Sequence, residues 1–190
     1  PLFLTSVVNT LDVSCNSYSD GSASISVTGG TSPYTENWNG SNPNALSEGT
    51  YLVNVTDVNG CSSNTGFTIN EPSALSLVVS TTDATCYGYS DGSASVSITG
   101  GTPPYIEDWG GNPNAFSLGT YSVNITDANG CSSSSGFNIS QTSELNLVVN
   151  TLDVSCNGYN DGSAILAISG GTLPYTEDWG GSNPNALSAG

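Results

Sequence analysis

The sequence predicts an all-β chain, a tandem array of small β-sandwich repeats of about 70 residues with one disulfide each. Three observations carry that expectation. The chain repeats itself: Cys15, Cys86 and Cys156 are spaced 71 and 70 apart, Trp38, Trp109 and Trp179 likewise, and Cys61 to Cys131 is 70. Apolar and polar residues alternate in short runs, the period of strands with one face on a core and one in water. Gly, Pro, Asn and Asp punctuate those runs, and no stretch sustains a helical period. The 190 residues divide into copies at 1–71, 72–141 and 142–190, the third cut short.

The second copy shows the order of elements. Residues 75–79, Leu-Ser-Leu-Val-Val, form a strand-like run that 145–149 echoes. Asp83-Ala-Thr-Cys86 leads through a short turn to Asp91-Gly92. Ala94, Val96 and Ile98 then alternate with serines, and Gly100-Gly-Thr-Pro-Pro104 marks a turn before Tyr105 and Trp109. After an Asn-Pro-Asn loop at 112–114, Tyr121, Val123 and Ile125 alternate with Ser122, Asn124 and Thr126. Asp127-Ala-Asn-Gly130 is a hairpin signal, because Asn and Gly tolerate the positive φ of such a turn. Residues 136–139 give the last strand. Short connectors such as Asn70-Glu-Pro-Ser73 join the copies, and their Pro predicts a semi-rigid array.

A unit of about 70 residues has a thin core and often needs a covalent staple. Cys15 to Cys61 spans 46 residues and Cys86 to Cys131 spans 45. The expected bonds are therefore Cys15–Cys61 and Cys86–Cys131, each contributing about 4 kcal/mol in the chain-entropy view. Cys61–Cys86, across the copy boundary, is the alternative. Cys156 would find its partner past Gly190, which matches Gly119 and so ends the chain within a copy. Oxidised cysteines imply an extracytoplasmic location.

Charge excludes several functions. The chain has sixteen Asp plus Glu, no Lys, Arg or His, and a net charge of -16. Nucleic acid is not a partner, because no cation can displace phosphate counterions. A polybasic membrane anchor is excluded on the same ground. So is catalysis by a His base, a Lys nucleophile or an Arg clamp, and trypsin has no site to cut. No apolar run approaches the ~18 residues that would insert across a bilayer. Opening at Pro1, with neither Met nor signal peptide, is expected of a segment of a longer chain.

The residues Cys86-Tyr-Gly-Tyr-Ser-Asp-Gly-Ser-Ala94, Gly100-Gly-Thr-Pro-Pro-Tyr105, Trp109, Gly119-Thr-Tyr121 and Thr126-Asp-Ala-Asn-Gly-Cys131 resemble the SprB repeat of gliding Bacteroidota. The Glu71-Pro-Ser73 junction is similar to that family's repeat boundary. The resemblance covers nearly the whole chain. It departs at Ser17, where the second copy has Gly88, and in the total absence of Lys and Arg. It implies an Ig-like β-sandwich in a very large cell-surface adhesin, exported by type IX secretion and carried along the surface during gliding. It offers no catalytic residues, so no enzyme is expected.

Two sets of side chains are candidates for ligand chemistry. Asp12 with Asp20, Asp83 with Asp91, and Asp153 with Asp161 recur as pairs eight apart flanking a Cys. Carboxylates converging near a turn could hold calcium, the one cofactor the sequence suggests; the alternative is that each caps its own turn. Asp57-Val-Asn-Gly60 and Asp127-Ala-Asn-Gly130 lack the Glu that would close an EF-hand loop, since 66 and 136 are Gly, and read as hairpins. Glu107-Asp108 and Glu177-Asp178 are neighbours on a strand and would face opposite ways, which rules out a glycosidase pair. Tyr34 with Trp38, Tyr105 with Trp109, and Tyr175 with Trp179 are four apart. Each Trp is expected in the core on a disulfide, or alternatively on an exposed platform for a sugar ring.

Two functions follow. The chain is a spacer that holds an adhesive tip away from the cell, or each copy binds extracellular surfaces or polysaccharide weakly and gains by avidity. Lateral association into a filament or sheath overlaps both, with neighbouring repeats of the same chain as the other expected partners.

Overall fold

The structure, a computed structural model, describes residues 2–188; Pro1, Ala189 and Gly190 lie outside it, and with them the Gly190–Gly119 equivalence. Among the described residues the chain is all-β, with twelve strands and no helix. In the first copy β1 (Thr5–Leu11) pairs antiparallel with β2 (Ser22–Thr28), from Thr5 opposite Thr28 to Leu11 opposite Ser22. β3 (Tyr34–Asn37), β4 (Gly49–Asp57) and β5 (Ser62–Ile69) form a three-stranded antiparallel sheet with β4 in the middle. In the second copy β6 (Ser76–Thr82) pairs with β7 (Ser93–Thr99). β8 (Ile106–Asp108), β9 (Gly119–Thr126) and β10 (Ser132–Ile139) form the second three-stranded sheet, with β9 central. The third copy contributes β11 (Asn146–Leu152) and β12 (Ser163–Ser169), paired from Asn146 opposite Ser169 to Leu152 opposite Ser163.

Contacts gather the chain into two compact units, and each takes residues from more than one sequence copy. One runs up to Val78 and adds Val96–Asp108 and Val123–Ser135. The other holds Val79–Ser95, Trp109–Ser122 and the residues from Gly136 on.

Period-two burial builds the first unit's core. Along β4 the side chains of Tyr51, Val53 and Val55 point inward while Thr50 and Leu52 point out, and both valines are fully buried. The core is Val13, Ala23, Leu46 and Ile69, with Val8, Trp38, Tyr51 and Phe67 packed against it. The β1–β2 and β3–β4–β5 sheets thus face each other, and the Ser6 and Thr65 hydroxyls bond across them at 2.6 Å. In the second unit the buried apolar residues include Ala84, Trp109, Phe116, Phe137 and Ile139. Phe116 stands where the first copy has Leu46. Its larger ring reaches Trp109 (6.5 Å between centroids) and Phe137 (5.4 Å). Trp109 is correspondingly buried, whereas Trp38 is half-buried and has one ring contact, edge-on to Phe67 at 5.9 Å, among the described residues.

The turn after β2 needs glycine. Gly29 and its counterparts Gly100 and Gly170 have φ of 73–75°. A Cβ there would overlap the carbonyl of Phe3, Ala74 or Glu144, so the strand entering each copy lies directly on this turn.

Ile69, with no exposed surface, should lose about 2–5 kcal/mol of stability on Ile69→Ala, measured by urea unfolding. Leu52→Ala, on the outward face of the same sheet, should stay within about 0.5 kcal/mol. Equal losses would refute the assignment of the inward face.

Candidate functional site

The site is built from one turn and one loop, both held by carboxylates. After Val53 and Val55, Asp57 is the next inward position of β4, and its carboxylate is buried. Its Oδ1 accepts the N–H groups of Asn59 and Cys61, both at 2.9 Å, and its Oδ2 accepts that of Thr31 at 3.0 Å. Asp127 repeats the arrangement with Asn129, Cys131 and Thr102 at 2.9, 2.9 and 2.8 Å. Burial pushes both carboxyls up, but the converging amides outweigh it and hold them below the ordinary value of 3.8. Each carboxylate fixes where the following cysteine stands. The hairpins expected at Asp57-Val-Asn-Gly60 and Asp127-Ala-Asn-Gly130 are therefore present, but their Asp is a buried anchor rather than a surface turn residue.

The other cysteine of each copy sits in a loop, which in the first two copies is tied to the connector. Ser14 donates its N–H at 3.0 Å, and its hydroxyl, to Asp20. Thr85 does the same to Asp91, and Ser155 to Asp161. The hydroxyl first, then the amide, hold these three carboxyls below their ordinary value. Asp12 accepts the N–H of Asn70 at 2.9 Å, and Asp83 that of Ser140 at 2.8 Å. Glu71 accepts from the Asn16 side chain and the Ser17 N–H, both at 2.7 Å. Gln141 takes the Gly88 N–H at 3.0 Å. Ser17 thus keeps the left-handed backbone of Gly88 (φ 64° against 77°) with Glu71 on its amide.

The structure corrects the cysteine pairing. Cys15 is bonded to Cys131, 116 residues away, with 5.7 Å between Cα atoms. Cys61, Cys86 and Cys156 are exposed free thiols. Neither Cys15–Cys61 nor Cys86–Cys131 forms, nor the alternative Cys61–Cys86, and the expectation of one disulfide per copy fails with them. The reason lies in β5. Cys61 precedes that strand, while the Cys15 loop is tied to Asn70 and Glu71 beyond its end. Nine residues of extended chain put them roughly 30 Å apart, against the ~4.4–6.8 Å between Cα atoms that a disulfide needs. β10 separates Cys131 from the Cys86 loop in the same way. The Cys15 loop instead meets the turn of the second copy, where the Asn129 side chain donates to the Ser14 carbonyl at 2.9 Å and to the Thr102 hydroxyl at 3.2 Å.

The aromatic candidates have structural partners. The Tyr34 and Tyr105 hydroxyls donate to the carbonyls of Gly29 and Gly100 at 2.8 and 2.7 Å, and Tyr175 donates to that of Gly170. Trp38 and Trp179 are half-buried and donate through Nε1 to Glu36 and Glu177 at 3.1 and 3.2 Å. Trp109 packs on Phe116 and Phe137 (5.7 Å), not on a disulfide between Cys86 and Cys131, which is absent. Asp153 follows β11 as Asp12 follows β1. Among the described residues no three His, Cys, Asp or Glu side chains gather in a metal-binding group. Sequence reasoning read Asp57 and Asp127 as hairpin residues without seeing them as buried anchors, and gave Glu71 and Gln141 no role. The inward parity of Asp57 with Val53 and Val55 was the available signal for the first.

The profile of the SprB repeat family matches residues 7–43, 78–106 and 148–183, together just over half of the chain. No curated protein matches the chain, and no solved structure does.

The clasped carboxylates set the acid stability. Because their native pKa values are depressed, their contribution is complete above the ordinary 3.8 and is lost as pH falls through the native values. The melting temperature should therefore drop on acidification below about pH 4. Asp57→Asn must turn its NH₂ toward a backbone N–H, so it should lower the melting temperature at pH 7 and flatten the acid decline. An acid decline identical to that of the parent would contradict the role of Asp57.

Proposed function

The chain belongs to the SprB repeat family, and on that membership we propose that it is a load-bearing repeat segment of a large extracellular adhesin on the cell surface. Its role is in surface adhesion and gliding motility, with export by type IX secretion, and it is not an enzyme. Five strands in two facing sheets make a reduced Ig-like sandwich, against the seven strands of an Ig constant-type domain. The observation that carries the reading is the Cys15–Cys131 bond, which closes a 116-residue separation and joins the first copy's loop to the second copy's hairpin. A bond across copies passes tension from one to the next through covalent links and keeps the enclosed chain from paying out. The charge of -16 suits the same role, since self-repulsion opposes collapse onto the chain or an anionic envelope.

A second reading, weak glycan binding by avidity, draws on the half-buried Trp38 and Trp179, each beside a glutamate. Against it, the tyrosine hydroxyls are already bonded to glycine carbonyls and Trp109 is buried.

Pulling single molecules by their ends separates the readings. With the disulfide intact the chain between Cys15 and Cys131 should not extend, and added reductant should release about 400 Å of contour length. Release of that length without reductant would remove the load-bearing role. Tryptophan fluorescence should not change saturably with surface polysaccharides; a saturable change would favour the binding module.

A further inference from the structure

Four Asn-Gly pairs occur in the chain, at 39–40, 59–60, 129–130 and 157–158. Such a pair can modify itself. The glycine amide nitrogen attacks the asparagine Cγ and closes a five-membered imide, an approach that glycine permits because it has no Cβ in the way. The reaction also needs an uncommitted amide and a backbone free to bend toward the side chain. The structure treats the pairs differently on both counts.

At the hairpins the nitrogen is taken. Gly60 donates its N–H to the Asp57 carbonyl and Gly130 to that of Asp127, both at 3.0 Å. The residues on either side are pinned by the buried carboxylates: Asn59 and Cys61 donate to Asp57 Oδ1, Asn129 and Cys131 to Asp127 Oδ1, all at 2.9 Å. Gly158 belongs to the loop position whose amide Glu71 and Gln141 hold at Ser17 and Gly88. Asn39 and Gly40 differ. Both are exposed, in the connection between β3 and β4, and the Gly40 N–H has no partner among the described residues. One backbone bond closes their turn, from the Ser41 N–H to the Trp38 carbonyl at 3.1 Å. Asn39 is held by exposed groups alone: its N–H donates to Asn37 Oδ1 and its Nδ2 to the Leu52 carbonyl, both at 2.9 Å. Its backbone is left-handed (φ 54°) where the other copies have Gly110 (64°) and Gly180 (63°). Asparagine visits that conformation more readily than other residues with a side chain.

We propose that Asn39-Gly40 is a self-modification site, converting to a mixture of aspartyl and isoaspartyl forms while the clasped hairpins keep Asn59 and Asn129 intact. The Gly40 nitrogen bonds to the Asn39 Cγ, the Cγ–Nδ2 bond breaks, and Nδ2 leaves as ammonia with the Gly40 proton. Water then opens the imide. Attack at Cγ restores the ordinary chain with an aspartate at 39. Attack at the main-chain carbonyl leaves the chain running through Cγ, one methylene longer. No electrons are exchanged, and water is the only co-reactant. Either product carries a carboxylate in place of the amide, so it no longer donates to the Leu52 carbonyl and the turn comes free of β4. At this turn the change is confined to the first copy, because Gly110 and Gly180 have no side chain to react.

The modification is independent of the adhesin role, and its failure would leave that reading untouched. The test incubates the folded, oxidised 190-residue chain in mildly alkaline buffer, then unfolds, reduces and cleaves it before aspartate. Peptide 20–56 carries Asn39, 57–82 carries Asn59 and 127–152 carries Asn129. Mass spectrometry should show 20–56 gaining the mass difference between Asn and Asp, with fragmentation placing the change at residue 39. A new peptide 39–56 should report the aspartyl form, while the isoaspartyl form stays uncut. Peptides 57–82 and 127–152 should convert at least several-fold more slowly. In urea with reductant all three should convert at similar rates, since the difference belongs to the fold. Asn39→Gly should abolish the change in 20–56 and leave the chain folded. An unconverted 20–56, conversion of 57–82 or 127–152 at an equal rate in the folded chain, a rate order that persists in urea, or a change at 20–56 that survives Asn39→Gly would each overturn the proposal.

Discussion

Sixteen carboxylates share this chain with no lysine, arginine or histidine. A carboxylate drawn in from water must keep acceptor bonds, and here backbone amides, hydroxyls, side-chain amides and indoles must supply them. The donors come from turns and loops, where amides are not already engaged in a ladder. Asp57 and Asp127 gather three amides each around the hairpin turns, and Asp12, Asp20 and Glu71 tie down the loop between β1 and β2. Among the described residues no buried side-chain nitrogen or oxygen is left without a partner.

That arrangement decides which cysteines can meet. One class of cysteine is locked into the turn before the third strand of the three-stranded sheet. The other is locked to the connector after that strand. The strand's own length keeps the two classes apart within a copy and leaves the connector end of one copy to meet the turn of the next. The resulting bond closes a loop long enough to contribute about 5 kcal/mol in the chain-entropy view, more than a within-copy bond would. For copies whose cores rest on a few small side chains such as Ala23, Val53 and Val55, such a link is a large share of the cohesion.

The strands were readable from the sequence because the alternation is local. Ala94, Val96 and Ile98 against serines gave β7, and Asp-x-Asn-Gly gave the hairpins. The disulfide was not readable, and periodicity is the cause. Cys61 and Cys131 are equivalent in sequence, so spacing tells which class of cysteine pairs with which class but not in which copy the partner lies. The choice rests on where the loop is tied, and Glu71 and Asn70 carry that information through contacts more than fifty residues from Cys15. The difference between Trp38 and Trp109 was hidden for another reason: it turns on Leu46 against Phe116, an apolar-for-apolar change seven or eight residues on that leaves the strand pattern unaltered.

The most direct measurement is the disulfide map of the oxidised chain. Cleavage before aspartate places every cysteine in its own peptide: 12–19, 57–82, 83–90, 127–152 and 153–160. Mass spectrometry of the monomer without reduction should find 12–19 joined to 127–152. Peptide 12–19 joined to 57–82, together with 83–90 joined to 127–152, would mean that each copy is closed on itself and would contradict the cross-copy joint.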